Sequence, residues 1–265
     1  MNQLQKRVAV SVVFIPVILA AMYIGGTVLT VVFALVSLLC SSEYIQMMRG
    51  ASLRIGWHWL PVSLLAYLGC VFLPGWEVLI LWSLFFIAVL GAFFRWESQR
   101  SIPIAALAVF GAVYTGILPA LLVRLGLEHA SARILFWLVI LIWCADTAAY
   151  FVGTAWGKKR NIFSISPNKS LEGFIAGAVA PFIIVIILYY TGLVDNLELL
   201  LLSAFAAGIV GQLGDLAESM LKRQCNVKDS SKLIPGHGGI LDRSDSILMA
   251  GSFLYFALSI LEKVR

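Results

Sequence analysis

Apolar stretches long enough to cross a lipid bilayer follow one another along almost the whole of this sequence. A membrane-spanning helix needs about 20 mainly apolar residues, because a helix satisfies its own backbone hydrogen bonds within the hydrocarbon. By that criterion the sequence predicts nine transmembrane helices, at residues 8–24, 27–48, 57–73, 77–95, 102–125, 132–153, 171–191, 196–222 and 244–261. The composition, 61% hydrophobic and 12% charged, excludes an ordinary soluble domain. We therefore predict an all-α, polytopic integral membrane helical bundle.

The chain is predicted to form a single membrane domain over residues 1–265, because no polar block is long enough to bury a core of its own. Its two parts differ in chemical character. Residues 1–100 hold N-terminal helical spans with few polar signals. Residues 101–265 hold the candidate catalytic region, with a polar cleft on the cytoplasmic side.

The basic residues orient the predicted bundle. Lysine and arginine are enriched in the cytoplasmic connections of membrane proteins. When the N-terminus is placed inside, most of the 19 basic residues fall on the inner side, and the outer set is Arg124, Arg133, Lys263 and Arg265. We therefore predict a cytoplasmic N-terminus, a location in the cell inner (plasma) membrane, and an active site that faces the cytoplasm.

The eighth predicted span becomes polar along one face at its end. Its polar residues recur at i, i+3, i+4 and i+7, which is the spacing of one helix face: Asp215, Glu218, Ser219 and Lys222. Asp242 and Asp245 are three residues apart at the start of the last span, so they also share a face. Carboxylates on two helices suit a divalent cation, because Mg²⁺ takes oxygen ligands and often combines one or two carboxylates with phosphate oxygens.

The loop between these two helices is basic and rich in glycine. Ammonium and guanidinium groups neutralise phosphate charge, and glycine N–H groups can approach an oxyanion closely. The candidate phosphate-binding residues in and beside this loop are Arg223, Lys228, Lys232, His237, Gly238, Gly239 and Arg243. The pattern predicts metal-assisted displacement at phosphorus, with Mg²⁺ as cofactor, a second cation left open, and the attacking group supplied by a substrate. We expect no nucleic-acid partner.

Polar residues upstream of this segment add to the candidate site. Asp146 lies in an apolar span, where a charge at the bilayer centre costs on the order of 3 kcal/mol, so we expect it to face the bundle interior and a partner. Lys169 precedes a helix start that Ser170 can cap and whose first turn holds Glu172. Since a helix N-terminus favours a phosphate, Lys169 is a predicted substrate-binding residue at this helix start.

Glycines recur at every third residue of the eighth span, at Gly208, Gly211 and Gly214. Small residues let membrane helices approach closely. The spacing therefore predicts close helix packing, with Gly173 and Gly177 of the seventh span as candidates for the facing surface.

Three motifs combine these residues. The first motif is Ser219-x-Leu221-Lys222-Arg223, followed by Lys228-Asp229 and by Pro235-x-His237-Gly238-Gly239-Ile240-x-Asp242-Arg243-x-Asp245. The second motif is Ser166-Pro167-x-Lys169-Ser170-x-Glu172-Gly173. The third motif is Asp146 with Tyr150. Together they resemble the motifs of the phosphatidate cytidylyltransferases, the CDP-diacylglycerol synthases. The resemblance covers about residues 140–260, and the first half matches only as a string of spans. Ser244 stands where the family usually has an apolar residue, which puts local helix packing in question more than the chemistry.

The resemblance implies a reaction in which CTP and phosphatidate give CDP-diacylglycerol and pyrophosphate at the bilayer surface. By similarity, the catalytic residues are Asp215, Lys222, Arg223, His237, Asp242 and Asp245. The metal ligands are first Asp215 and Asp242, then Asp245, with Asp146 behind them. Substrate binding falls to Asp146, Lys169, Glu172, Ser219, Lys228, Asp229, Lys232, Gly238, Gly239 and Arg243, and His237 shapes the loop or donates to a phosphate.

Two other functions remain open at this point. A CTP-dependent lipid kinase of the polyprenol type would release CDP instead of pyrophosphate, and the run from Pro235 to Asp245 favours the cytidylyltransferase. An ion-coupled transporter would use Asp146 and Asp215 as an ion path, but no internal repeat is evident and the dense phosphate-type loop argues against it. A homodimer is among the assemblies that the sequence leaves open.

Overall fold

The computed structural model describes residues 15–130, 133–194, 196–234 and 238–264, and within these ranges the regular secondary structure is helical. The helices are α1 (Ile15–Ile24), α2 (Gly26–Gly50), α3 (Trp59–Phe72), α4 (Glu77–Phe94), α5 (Ser101–Ala112), α6 (Leu118–Glu128), α7 (Ile134–Ala155), α8 (Leu171–Tyr190), α9 (Leu197–Phe205), α10 (Gln212–Gln224) and α11 (Leu241–Val264). A π-helical turn at Val113–Ile117 joins α5 to α6, and a second at Ala206–Gly211 joins α9 to α10. The predicted all-α class is confirmed.

Seven stretches of helix among the described residues are long and apolar enough to cross a bilayer: α2, α4, the continuous α5–α6, α7, α8, the continuous α9–α10, and α11. The other two predicted spans coincide with the shorter helices α1 and α3. The 14 residues of α3 rise only about 21 Å at 1.5 Å per residue, less than the ~30 Å of hydrocarbon. Residues 8–14 of the first predicted span lie outside the described residues. The count of nine crossings and the cytoplasmic N-terminus therefore stay predictions.

Apolar side chains cover the outer surfaces of the helices. On α4, Val78 is 81% exposed and Phe94 is 77% exposed. In water, a contiguous surface of this kind would drive aggregation, whereas hydrocarbon is a good solvent for it. The apolar exterior and the span-length helices together make this a multi-pass membrane protein.

The chain divides into two compact units. The first unit comprises the chain up to Leu127 together with Gln224–Arg243, and the second unit comprises Glu128–Arg223 and Ser244–Arg265. The boundaries fall inside α10 and α11, so the loop between these helices belongs to the first unit. The prediction of one membrane domain with a division near residue 100 stays a prediction.

Hydroxyl groups hold the core of the first unit together where α2 packs against the π-helical turn at Val113–Ile117. Ser37 Oγ donates to the backbone carbonyl of Thr115 at 2.5 Å, and Ser41 Oγ and Thr115 Oγ1 lie 2.6 Å apart. A π-helical turn interrupts the regular hydrogen-bond ladder of the helix. In a membrane, the carbonyls that it frees need partners from neighbouring helices, and serine on α2 provides one.

Small residues allow close helix packing in the second unit, where α8 lies against α7 and α9. A Cβ on Gly208 would lie 2.7 Å from the backbone carbonyl oxygen of Ala178 on α8, so the predicted close packing at Gly208 is confirmed. A Cβ on Gly211 would meet its nearest atom at 3.6 Å, which is ordinary contact. The predicted facing surface is wrong at Gly173, which packs against Ala149 of α7 instead.

Candidate active site

The polar face predicted at the end of the eighth span lies on α10. Gln212, in its first turn, donates from Nε2 to the backbone carbonyls of Phe174 on α8, at 3.2 Å, and of Gly208 in the preceding π-helical turn. Leu216 is buried on the apolar side. These contacts fix the start of α10 against α8, so the polar residues that follow are held on a rigid element.

An acidic cluster forms in the second unit from Asp215 and Glu218 on α10 and Asp245 on α11. Each offers a carboxylate oxygen, and the three oxygens lie within 4.8 Å of one another. Glu218 and Asp245 are buried, and Asp215 is half-buried. Gly214 permits this arrangement, because a Cβ there would lie 2.7 Å from the backbone carbonyl oxygen of Asp245 and would keep α10 and α11 apart. Sequence spacing alone groups Asp215 with Glu218, and the fold adds Asp245.

Two lysines compensate part of the charge of this acidic cluster. Lys222 forms an ion pair with Glu218 one turn earlier on α10, and Lys169 pairs with Asp215. The negative charges of Asp215 and Asp146 repel the Asp245 carboxylate, whereas the positive charge of Lys222 attracts it. The prediction that Asp146 faces the bundle interior is wrong, because the residue is exposed. Asp146 nevertheless lies close enough for its charge to interact with that of Asp245.

The acidic cluster is suited to a small divalent cation. Crowded carboxylates repel one another, and a cation bound among them relieves that repulsion. Hard cations such as Mg²⁺ prefer oxygen ligands at 2.0–2.1 Å, so two oxygens on one ion are at most about 4.2 Å apart. The separations within the acidic cluster, up to 4.8 Å, come close to that limit, so small side-chain movements suffice to bring them onto one ion.

A folded loop holds Lys169 in position before α8. Ser170 caps the helix, accepting a hydrogen bond from the backbone N–H of Gly173 at 3.1 Å, as predicted. Glu172 accepts from the backbone N–H of Lys159 at 3.2 Å. Arg223 Nε donates to the backbone carbonyl of Ile165 at 3.2 Å. Glu172 and Arg223 therefore both contact the loop backbone in this structure, and their predicted roles toward substrate stay predictions.

A second polar group, in the first unit, forms around Glu43 of α2; we call it the Glu43 network. The Glu43 side chain is buried, at 2% exposure. Its Oε1 accepts from Ser231 Oγ at 2.6 Å and from the backbone N–H of Ile240 at 3.0 Å. Its Oε2 accepts from Ser230 Oγ at 3.1 Å and from the backbone N–H of Leu241 at 2.9 Å. One carboxylate thus connects the middle of the loop between α10 and α11, at Ser230 and Ser231, to the end of the loop at Ile240 and the start of α11.

Asp242, in the first turn of α11, extends the Glu43 network. Its Oδ2 accepts from the backbone N–H and the hydroxyl of Ser230, at 2.9 and 2.8 Å, and from the backbone N–H of Gly239 at 2.7 Å. A Cβ on Gly239 would overlap Ser230 Oγ and the Glu43 carboxylate, so only glycine fits there. Among the described residues, Asp242 therefore shapes the loop, and its predicted role as a metal ligand stays a prediction.

The other predicted residues are mainly at the surface. Ser219 is buried on α10. Lys228 and Lys232 of the loop and Arg243 in the first turn of α11 are exposed, as a phosphate-binding role requires, and Asp229 is also exposed. His237 and its neighbours Pro235 and Gly236 lie outside the described residues.

Two carboxylates of these polar groups were not among the predicted metal or substrate ligands, for different reasons. Glu218 is part of the predicted polar stripe, but only the fold shows that it joins Asp215 and Asp245. Glu43 lies in the half of the sequence that carries few polar signals. The available signal was its position within the predicted span 27–48, since an ionisable residue in a span calls for a partner or a function.

A sequence model of the cytidylyltransferase family matches residues 5–261, nearly the whole chain. The chain belongs to this family. The match includes the acidic cluster, the Glu43 network and the motifs that suggested the resemblance.

Curated relatives are similar to this cytidylyltransferase-family chain over part of their length. A phosphatidate cytidylyltransferase of Bacillus subtilis (strain 168) is 43% identical over 136 residues, which are 51% of this chain and 50% of the relative. One from Haemophilus influenzae (strain ATCC 51907 / DSM 11121 / KW20 / Rd) is 41% identical over 150 residues, 52% of each chain. One from Staphylococcus haemolyticus (strain JCSC1435) is 46% identical over 110 residues, 41% of this chain and 42% of the relative. The chain thus spans about half the length of the curated relatives it matches.

Proposed function

We propose that this chain is a phosphatidate cytidylyltransferase, which makes CDP-diacylglycerol and pyrophosphate from CTP and phosphatidate. The observation that carries the proposal is the acidic cluster with its two paired lysines, Lys169 and Lys222, in a membrane protein of the cytidylyltransferase family. The names of the relatives agree with it. We place the enzyme in the cell inner membrane with the site toward the cytoplasm, because the basic residues favour that orientation and CTP is a cytoplasmic nucleotide.

The reaction needs binding and orientation more than a protein nucleophile. A phosphate oxygen of phosphatidate forms a bond to the α-phosphorus of CTP. The bond from that phosphorus to the oxygen shared with the β-phosphorus breaks, and this oxygen leaves as a terminal oxygen of pyrophosphate. The attacking phosphate is already ionised at neutral pH, so no general base has to accept a proton. Lys169 and Lys222 are suited to hold phosphate oxygens, because each can exchange a carboxylate partner for a phosphate without leaving the acidic cluster.

Asp215, Glu218 and Asp245 are the residues that would hold Mg²⁺. The bound cation would neutralise phosphate charge and polarise the phosphorus for attack. The three carboxylates would set its position, and Gly214 would keep α10 and α11 close enough for all three to act together. A second cation and a homodimer stay predictions.

The test is an assay of the purified protein in detergent with phosphatidate, CTP and MgCl₂. Pyrophosphate release and the transfer of a cytidine label into the lipid extract are measured in the same samples. We expect equal amounts of both products and neither product without the divalent cation. Release of CDP with phosphorylated lipid would support the lipid kinase instead. Ion flux in vesicles without CTP turnover would support the transporter.

A further inference from the structure

Glu43 has the hydrogen-bonding pattern of a residue that positions a loop. An ionised carboxylate has about four acceptor positions. Glu43 has four donors within hydrogen-bond distance, two serine hydroxyls and two backbone N–H groups at the start of α11, and it shares the single hydroxyl proton of Ser230 with Asp242. It is buried on α2, a helix far away in sequence from the loop that it binds. Its acceptor positions serve the loop, which leaves little capacity for a metal ion or a substrate.

The loop that Glu43 holds is better placed to bind a water-soluble ligand than a lipid. It lies between the span-length helices Leu197–Gln224 and Leu241–Lys263, and its basic side chains are exposed. Gly239 donates its backbone N–H to Asp242, and Asp242 in turn binds Ser230, so the glycine-rich end of the loop is tied to the residues that Glu43 holds. A displacement of the Glu43 carboxylate therefore displaces the parts of the loop that it contacts, at Ser230, Ser231 and Ile240.

We propose that Glu43 is a positioning residue for CTP: it fixes the loop between α10 and α11 so that Lys228, Lys232, Gly238 and Gly239 bind the triphosphate. This inference rests on the proposed function. Glu43 itself touches neither substrate. It acts through Ser230, Ser231 and the backbone at Ile240 and Leu241.

The Glu43→Gln variant tests this role with little change in side-chain volume. Whichever carboxylate oxygen becomes the amide nitrogen, an N–H donor then faces a backbone N–H, at either Ile240 or Leu241. We expect the KM for CTP to rise at least about tenfold, while the KM for phosphatidate changes less than about twofold. The Kd of radiolabelled CTP with MgCl₂, measured without phosphatidate, should rise by a similar factor. A merely structural role would instead lower the active fraction and the Tm without separating the two substrates.

Two further variants keep the proposal testable if Glu43→Gln does not fold. Ser231→Ala removes one donor to Glu43, so we expect a rise of about threefold in the KM for CTP, and no further rise when it is added to Glu43→Gln. Ser42→Ala should match the wild type, because Ser42 is next to Glu43 but half-buried, and its hydroxyl donates to the backbone carbonyl of Leu39 on its own helix.

An unchanged KM for CTP in a folded Glu43→Gln, an equal rise of both KM values, or an unchanged Ser231→Ala would overturn the proposal. A wild type that makes no CDP-diacylglycerol would reject the proposed function instead. In that case, loss of CTP binding in Glu43→Gln would still support the positioning role, and retained binding would reject it.

Discussion

Replacement of Lys222 by methionine tests how the acidic cluster is stabilised. Lys222→Met keeps a long apolar stem but removes the cation that pairs with Glu218, whose side chain is 0% exposed while that of Lys222 is 12% exposed. Removing one partner of a buried ion pair costs about 3–5 kcal/mol, because a charge stays buried without its compensation. Lys222 is not fully buried, so we take the lower figure of about 3 kcal/mol. At 2–4 °C per kcal/mol, the Tm should fall by about 6–12 °C.

The assay is thermal unfolding of the purified protein in detergent, with EDTA to remove divalent cations. Lys158→Met is the matched control, because Lys158 is exposed in the same unit, and it should leave the Tm unchanged. The double variant Lys222→Met/Glu218→Gln removes both charges and should recover most of the lost Tm. Excess MgCl₂ should raise the Tm of Lys222→Met, because a cation bound at the acidic cluster supplies the missing positive charge.

Either of two results would refute this reasoning. A Tm for Lys222→Met within about 2 °C of the wild type in EDTA would mean that Lys222 does not compensate Glu218. A double variant as unstable as the single variant would assign the cost to lost packing of the lysine stem rather than to the buried charge.

Three other predictions concern the same cluster. Asp215→Asn and Asp245→Asn should each lower turnover at least about 100-fold and abolish the rise in Tm with MgCl₂. The control Glu198→Gln, at an exposed position, should change neither quantity. Near-normal Mg²⁺-dependent turnover in the two aspartate variants would remove both residues from the metal site. Gly214→Ala should destabilise the protein by about 1–3 kcal/mol in thermal unfolding, because its Cβ would lie 2.7 Å from a backbone carbonyl oxygen of α11. Gly211→Ala is the control, because a Cβ there would lie 3.6 Å from its nearest atom and should not destabilise the protein. Equal Tm values for the two variants would argue against the close approach at Gly214. Chelation of divalent cations should stop turnover and lower the wild-type Tm, and full activity in EDTA would contradict the metal proposal.

Bilayer thickness explains why most of the helices were predictable. The predicted span 171–191 corresponds to α8 (Leu171–Tyr190), and 77–95 corresponds to α4 (Glu77–Phe94). Hydrocarbon fixes the length of an apolar run, and the Ser170 cap marks where α8 begins. The π-helical turns inside two other spans have no such signal, since an inserted residue changes neither hydropathy nor length enough to be seen.

Local spacing explains what was predictable at the acidic cluster. Asp215, Glu218 and Lys222 share a helix face whatever the rest of the chain does, so their grouping follows from periodicity alone. The pairing of Lys169 with Asp215 and the approach of Asp245 depend on how helices distant in sequence pack together. Gly214 hints at that packing through its small size, but a glycine alone does not say which helix comes close.

Hydrogen-bond counting separates carboxylates that shape the protein from carboxylates that can bind a cation. Glu43 and Asp245 look alike in sequence, because both are acidic residues within predicted spans. Both are also buried in the structure. Glu43 has two donors on each oxygen, so a metal ion could bind it only by displacing part of the loop. Asp245 accepts from the backbone N–H of Ser246 on one oxygen and lies among other carboxylates, where a cation lowers the electrostatic energy. A buried carboxylate thus holds a loop in one unit and is a candidate metal ligand in the other. The hydrogen-bond donors around each carboxylate determine which of the two roles it can take.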